Sequence, residues 1–333
     1  MGTSPTVPVY LIVVTGASLR GNVIAARSFR TASRLGLATT LLMSGLMVVG
    51  SLVRSTGSGL ACPDWPLCGG QLVPPFEFHV LIEWFHRLVA LLVSVALVAT
   101  VAWVATHRAV RARLGGLAAL AVALLAVQIL LGALTVWRLL SPAIVGSHLG
   151  VALLLFCTML ALTLGARAEA APERGAAAGP PAARAPRLLG ITTLAAFAQG
   201  LLGGIVSATH AGTVCRDWPT CNGVLFPPLN GLVGLHMLHR YGAYTLLALV
   251  ATLAWRARRS PDSAIRRGAR AALLLVLLQV VLGVANVMLG VPPWLTAGHL
   301  ATAIAVLAVL LTTTLRAAPL AAPAIQLVPA EAR

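Results

Sequence analysis

The chain has 333 residues, is 59% hydrophobic and only 10% charged, and carries 24 basic against 8 acidic residues for a formal net charge of +16. A soluble domain carries roughly a quarter charged residues, so a water-soluble fold is excluded, and with it a nucleic-acid surface, which needs a soluble basic face. Every basic residue is an arginine, and most sit in short clusters between apolar runs, as topology signals do.

Residues 1–34 read as an N-terminal cytoplasmic extension, free of acidic residues; the T-G-A-S-L-R-G-N run within it lacks the full glycine pattern of a nucleotide-binding turn. Eight apolar runs follow, at 35–53, 80–105, 115–137, 142–166, 188–207, 232–255, 268–289 and 294–316. Each matches, within about one residue, or exceeds the roughly 20 residues that cross a bilayer core of about 30 Å. Residues 167–187, rich in Ala, Pro and Gly, read as a cytoplasmic linker, and 317–333 as an aperiodic tail. Arg20, Arg27, Arg30 and Arg34 precede the first span. Arg108, Arg111 and Arg113 lie between the second and third, and Arg256, Arg258, Arg259, Arg266, Arg267 and Arg270 between the sixth and seventh. The opposite side holds only Arg54, Arg138 and Arg216. The positive-inside rule therefore places both termini in the cytoplasm of a cell-membrane protein and turns the loops 54–79 and 208–231 outward.

The two halves, 35–166 and 188–316, repeat one another. C-P-D-W-P-L-C at 62–68 recurs as C-R-D-W-P-T-C at 215–221, and the same offset of 153 maps His86 onto His239 and Arg87 onto Arg240. Q-I-L-L-G at 128–132 returns as Q-V-V-L-G at 279–283, and S-H-L-G-V-A at 147–152 as G-H-L-A-T-A at 298–303, at offset 151. Four spans per half is an even number, so the halves share an orientation. The expected fold is all-α: eight transmembrane helices in two four-helix bundles related by a pseudo-twofold axis along the membrane normal.

Four histidines, His86, His148, His239 and His299, fall inside the apolar runs, where ionisable residues are expensive and mark function. The bland alternative is a buried histidine satisfied by a carbonyl, which fits a lone residue better than four placed equivalently in two repeats. Each lies a few residues in from the outer face, so each half presents two histidines at one depth on parallel helices. In an up-down bundle those helices are diagonal partners, and two imidazoles facing inward suit the iron of one flat haem. Zinc or a di-iron centre would want further ligands. One carboxylate, Glu83, shares the face of His86 one turn outward, where the second half has His236. That difference suggests one reactive site and one accessory site, unless Glu83 merely pairs with Arg87 at the interface. Cys62 with Cys68 and Cys215 with Cys221 lie in outward loops, where they form disulfide staples or a pair exchanging with a redox partner. Cys157 reads as packing, Trp65 and Trp218 as interface residues and His107 as a solvated loop residue. His79, His210, Arg87 and Arg240 are candidate contacts for haem propionates.

The combination of T-G-S-G-L-A-C-P-D-W-P-L-C-G-G, I-E-W-F-H-R, S-H-L-G, L-H-R and G-H-L, spanning about 35–316, resembles the heme A synthase family of cytochrome oxidase cofactor assembly. The resemblance implies oxidation of a porphyrin methyl of haem O to the formyl group of haem A. It implies a catalytic haem held by His86 and His148, a haem b held by His239 and His299, and Glu83 as catalytic acid/base. It further implies membrane lipid as surroundings, a haem O synthase as supplier and an electron donor, and it is compatible with an oligomer. Three rivals from other classes remain: a cytochrome b electron carrier, which would stack haems at two depths, a quinone-linked thiol–disulfide oxidoreductase resting on the loop cysteines alone, and a transporter, which the parallel repeat disfavours.

Overall fold

A computed structural model describes residues 16–171 and 185–317, with side chains from 23 and from 187 in the two segments. The described residues form eight long helices: α1 (Gly16–Ser55), α2 (Phe78–Thr106), α3 (Arg108–Trp137), α4 (Pro142–Glu169), α5 (Ala185–Ala208), α6 (Gly231–Ala257), α7 (Ser263–Met288) and α8 (Pro293–Ala317). Seven are long and apolar enough to cross a membrane. The eighth, α6, is 27 residues long and carries the polar His236, His239 and Arg240 in its first half. This is an all-helical, multi-pass membrane protein, in which hydrogen bonds internal to each helix satisfy the backbone that lipid cannot.

The helices extend beyond the apolar runs that announce them. α1 starts at Gly16 rather than 35, so much of the expected extension is helical. Phe29 and Ala32 are buried against Val104, Val110, Leu114, Leu162 and Ala166 of three other helices, and the Trp103 indole N–H donates to the Ser28 carbonyl at 3.0 Å. Contacts from distant sequence, not local hydrophobicity, order that turn. α3 likewise starts at Arg108, leaving His107 alone between α2 and α3, its ring stacked on Trp103 at 4.0 Å. Most of the expected 167–187 linker and the tail beyond Ala317 lie outside the described residues.

Each half closes into a ring of four: α1–α2–α3–α4, then α5–α6–α7–α8, every neighbour in contact and the first helix touching the fourth. The halves join through α1 against α8, α4 against α5 and α4 against α8. The first two of these interfaces exchange under the mapping α1↔α5, α4↔α8, and the third maps onto itself, which is the signature of a twofold between repeats. At α4–α5 the helices approach through small residues. A Cβ placed on Gly150 would meet Leu201 at 3.1 Å and one on Gly146 would meet Ile205 at 3.4 Å, while Leu149 and Leu153 fill the spaces over Gly204 and Gly200. This is the small-x3-small packing that lets apolar helices associate without a hydrophobic driving force.

Across the first bundle α1 also approaches α3, whereas among the described residues α2 and α4 make no comparable approach. The open diagonal is the one that carries His86 and His148. Below it Met43, Met47, Val93, Leu97, Leu125 and Leu153 belong to one continuous buried core, which seals the bundle on the side away from the long loops.

Candidate functional site

The four histidines sit in the first turns of the even-numbered helices. His86 is eight residues beyond the start of α2 and His239 eight beyond that of α6, and His148 and His299 lie six beyond the starts of α4 and α8. At 1.5 Å per residue they are about 9 to 12 Å from the loop-bearing ends of their helices. His86, His148 and His299 each keep a Nδ1 that is shut off from solvent and has no hydrogen-bond partner. Leaving such a group unpaired costs about 1–3 kcal/mol, and a site tolerates that cost where function needs the nitrogen.

A glycine on the preceding helix faces each ring. A Cβ placed on Gly50, Gly132, Gly203 or Gly283 would meet the Cε1 of His86, His148, His239 or His299 at 3.0, 3.5, 2.9 and 3.2 Å respectively. These glycines thus form a cradle that a methyl group would fill in three cases of the four. Two glutamines, overlooked in the sequence except as repeat markers or not at all, also face ligands. The Gln128 amide lies 3.2 Å from His148 Nε2, and the Gln199 amide lies 3.0 Å from His239 Nδ1 and donates to the His239 carbonyl at 2.8 Å. Their signal was their spacing: Gln128 and Gly132, like Gln199 and Gly203, are one turn apart and so share a helix face. A pair of imidazoles with nitrogens to spare, in an apolar bundle with glycine clearances, fits a flat iron macrocycle.

Glu83 is buried at 4% exposure and both carboxylate oxygens are engaged. Oε1 pairs with Arg87 Nη2 at 2.6 Å, and Oε2 accepts the Cys62 backbone N–H at 2.8 Å. His236, its repeat equivalent, is equally buried and keeps a Nδ1 without partner. The pairing of Glu83 with Arg87, raised from sequence as the bland alternative, is therefore present, but well inside the protein rather than at a wet interface.

The two arginines named as candidate propionate contacts each hold a cysteine loop. Arg87 donates to the carbonyls of Asp64, Leu67 and Cys62 at 2.6, 2.5 and 3.0 Å, and Arg240 to those of Thr220 and Cys215 at 2.8 and 3.4 Å. Each guanidinium clamps the cysteine loop of its own half onto the bundle. His79 bonds to the Ser58 hydroxyl at 2.8 Å, and His210 lies 2.8 Å from an Arg54 Nη2, whose positive charge holds the imidazole below its ordinary value.

Both cysteine pairs are joined, Cys62 to Cys68 and Cys215 to Cys221, and all four residues are at most 3% exposed. Exchange with a partner needs access to a sulfur, so burial favours the staple over the exchanging pair. An aspartate closes each loop. Asp64 accepts the N–H groups of Gly69 and Gly70 at 2.6 and 2.8 Å, and the second of these bonds does most to hold its carboxyl below the usual range. Asp217 accepts the Thr220 hydroxyl and the N–H groups of Asn222 and Gly223, bonds that draw its carboxyl down to about 2. Gly69, Gly70, Asn222 and Gly223 all take positive φ, which is why Gly-Gly and Asn-Gly follow the second cysteines. Trp65 packs edge-on against Trp137, and Trp218 donates to the Tyr244 hydroxyl at 2.9 Å.

Comparison with known proteins points one way. The model of a family described as cytochrome oxidase assembly protein, COX15-CtaA, matches residues 33–79 and 75–311. The heme A synthase of Symbiobacterium thermophilum is 36% identical over 257 residues, covering 75% of this chain and 83% of that protein. That of Halalkalibacterium halodurans is 32% identical over 69% of this chain and 78% of its own length, and that of a Methylobacterium species 31% identical over 88% and 96%.

Proposed function

The chain belongs to the cytochrome oxidase assembly protein family, and from that premise we propose how it works as a heme A synthase converting haem O to haem A. His86 and His148 hold the substrate haem in the first bundle, His239 and His299 hold a haem b in the second, and Glu83 is the acid/base of the reactive site. The observation that carries this division is a break in the duplicated arrangement: a buried, doubly held carboxylate at position 83 against an imidazole at 236.

The bound haems supply the iron redox chemistry by which a porphyrin methyl is oxidised. The residues of the chain do the rest. His86 and His148 orient the substrate from opposite corners of the open diagonal. Glu83, one turn outward from His86, holds or moves a proton at its carboxylate; Arg87 and the Cys62 N–H fix that carboxylate's position. The buried apolar core beneath the ligands excludes water from the inner side. His236 sits where the second site needs no acid, since passing electrons moves no proton at the ring edge. Turning a methyl into a formyl group removes electrons and inserts an oxygen, so the reaction calls for an electron donor where dioxygen is the oxidant, or for an electron acceptor where water supplies the oxygen, and for a supplier of haem O. In this reading the arginine-rich connections and both termini lie in the cytoplasm of a bacterial cell membrane, and the disulfide loops cover sites in the outer leaflet.

The test is haem A formed per haem O bound. Glu83→Ala retains haem and loses about 10²–10⁴-fold in conversion, the range for a positioned acid/base, while His236→Ala converts nearly as the parent does. Near-normal conversion by Glu83→Ala overturns the assignment.

A further inference from the structure

The helix that precedes each histidine helix presents a glycine to the imidazole, and in three of the four a glutamine stands one turn inward from it. α3 carries Gln128-Ile-Leu-Leu-Gly132, α5 carries Gln199-Gly-Leu-Leu-Gly203 and α7 carries Gln279-Val-Val-Leu-Gly283. Gln128 reaches the ring of His148 and Gln199 the ring and carbonyl of His239. Gln279 keeps the same register beneath His299, with its side-chain oxygen buried and without a partner. In α1 the same register reads Leu46-Met-Val-Val-Gly50. Gly50 stands as close to His86 as its counterparts do to theirs, with a Cβ position 3.0 Å from Cε1. Leu46, at the glutamine's place, is apolar and packs against the core. His86, like His148 and His299, has an imidazole nitrogen buried without a partner, and it alone of the four has no glutamine at this place.

We propose that the Gln-x3-Gly pattern is a ligand-seating device, and that its truncation to Leu46-x3-Gly50 leaves His86 the one of the four histidines with no glutamine to seat it, marking the first bundle as the haem site that exchanges. The inference rests on the reading of the histidines as haem ligands and deepens it. A substrate haem must enter and its product must leave, whereas a resident haem must stay. The glycine contributes clearance, because a side chain there would press on the imidazole. The glutamine contributes a hydrogen bond that fixes the ring's rotation about its own helix. Where the amide is missing, packing alone holds the ring, and it turns aside at smaller cost when the ligand bond breaks.

The experiment uses full-length purified protein loaded with haem and follows haem loss to excess apomyoglobin. The parent protein loses haem in two phases. Leu46→Gln slows the fast phase and Gln199→Leu speeds the slow one, each by about five- to tenfold, the factor that one hydrogen bond supplies. Low-spin EPR gives an independent readout: Gly203→Ala, where the Cβ would stand 2.9 Å from the ring, shifts the g-values, and Gly132→Ala, at 3.5 Å, leaves them unchanged. Unaltered rates in both glutamine-position variants overturn the proposal, as does an equal EPR response at Gly203 and Gly132. If Leu46→Gln does not fold, Gln199→Leu, which only removes polarity, decides alone. Parent protein that binds no haem under ample supply defeats instead the functional reading on which this inference rests.

Discussion

At position 87 one guanidinium ties the loop carbonyls of Cys62, Asp64 and Leu67 to the Glu83 carboxylate. Arginine suits this because its planar fork serves several acceptors at once, which a lysine ammonium does with less geometric control. Arg87→Lys is therefore expected to keep haem bound but lower conversion by about 10- to 100-fold, through loss of carboxylate placement. Arg240→Lys, in the half without the carboxylate, should leave conversion per haem near that of the parent; measured turnover in the two variants checks the contrast. Glu83 itself was legible in sequence from its spacing to His86 and its intramembrane position. Its second partner was not, because the Cys62 N–H lies 21 residues away and arrives only when the loop folds back. The roles of Asp64 and Asp217 were within reach of the sequence, since Gly-Gly and Asn-Gly after a cysteine announce a tight turn whose N–H groups need an acceptor.

Helices α4 and α5 meet where Gly146, Gly150, Gly200 and Gly204 let leucine and isoleucine side chains reach the opposing backbone. His148 lies between the two α4 glycines, so this seam also fixes where that ligand stands. Gly150→Leu overpacks the seam and should cost about 1–3 kcal/mol, read as a lower melting temperature with weaker haem retention. Gly116→Ala is the control: its Cβ would meet nothing within 4 Å, and alanine's better helix propensity makes the change neutral or stabilising by up to about 1 kcal/mol. The apolar runs located every helix of the fold, because a membrane span is a local property of composition. Helix ends escaped that reading. The first turns of α1 and α3 carry arginines and polar residues, and they are helical because Phe29, Ala32, Val110 and Leu114 bury one another.

The two halves meet at Arg54, which donates to the carbonyls of Ser207 and Ala208 at 3.2 and 3.0 Å. Ser207 is the residue 153 positions on, so Arg54 touches its own repeat equivalent and marks the pseudo-twofold axis. Two arginines there would repel, and the sequence places a serine in the second copy. The cation also satisfies the carbonyl end of α5, where the helix dipole favours positive charge. His210 completes the clamp. Because Arg54 lowers its pKa, the neutral imidazole is the favoured form: the contact is fully present above the ordinary value of 6.5 and weakens as pH falls through the lowered one. NMR titration of the His210 ring should give a midpoint below 6.5 that returns toward 6.5 in Arg54→Gln; a midpoint unmoved by that change would remove Arg54 as its cause.

The sequence by itself determined the membrane character, the count of helices, the duplication and the equal depth of four histidines. These depend on composition, on the helical period and on an offset, all of which are written along one chain. The tertiary structure decided which diagonal of the first bundle stays open, which glycine and glutamine face which imidazole, that both disulfides are buried beneath clamped loops, and that Arg54 reaches its own repeat equivalent. Those are relations between helices, set by how side chains from distant stretches interlock, and a residue's own neighbours in sequence carry no record of them.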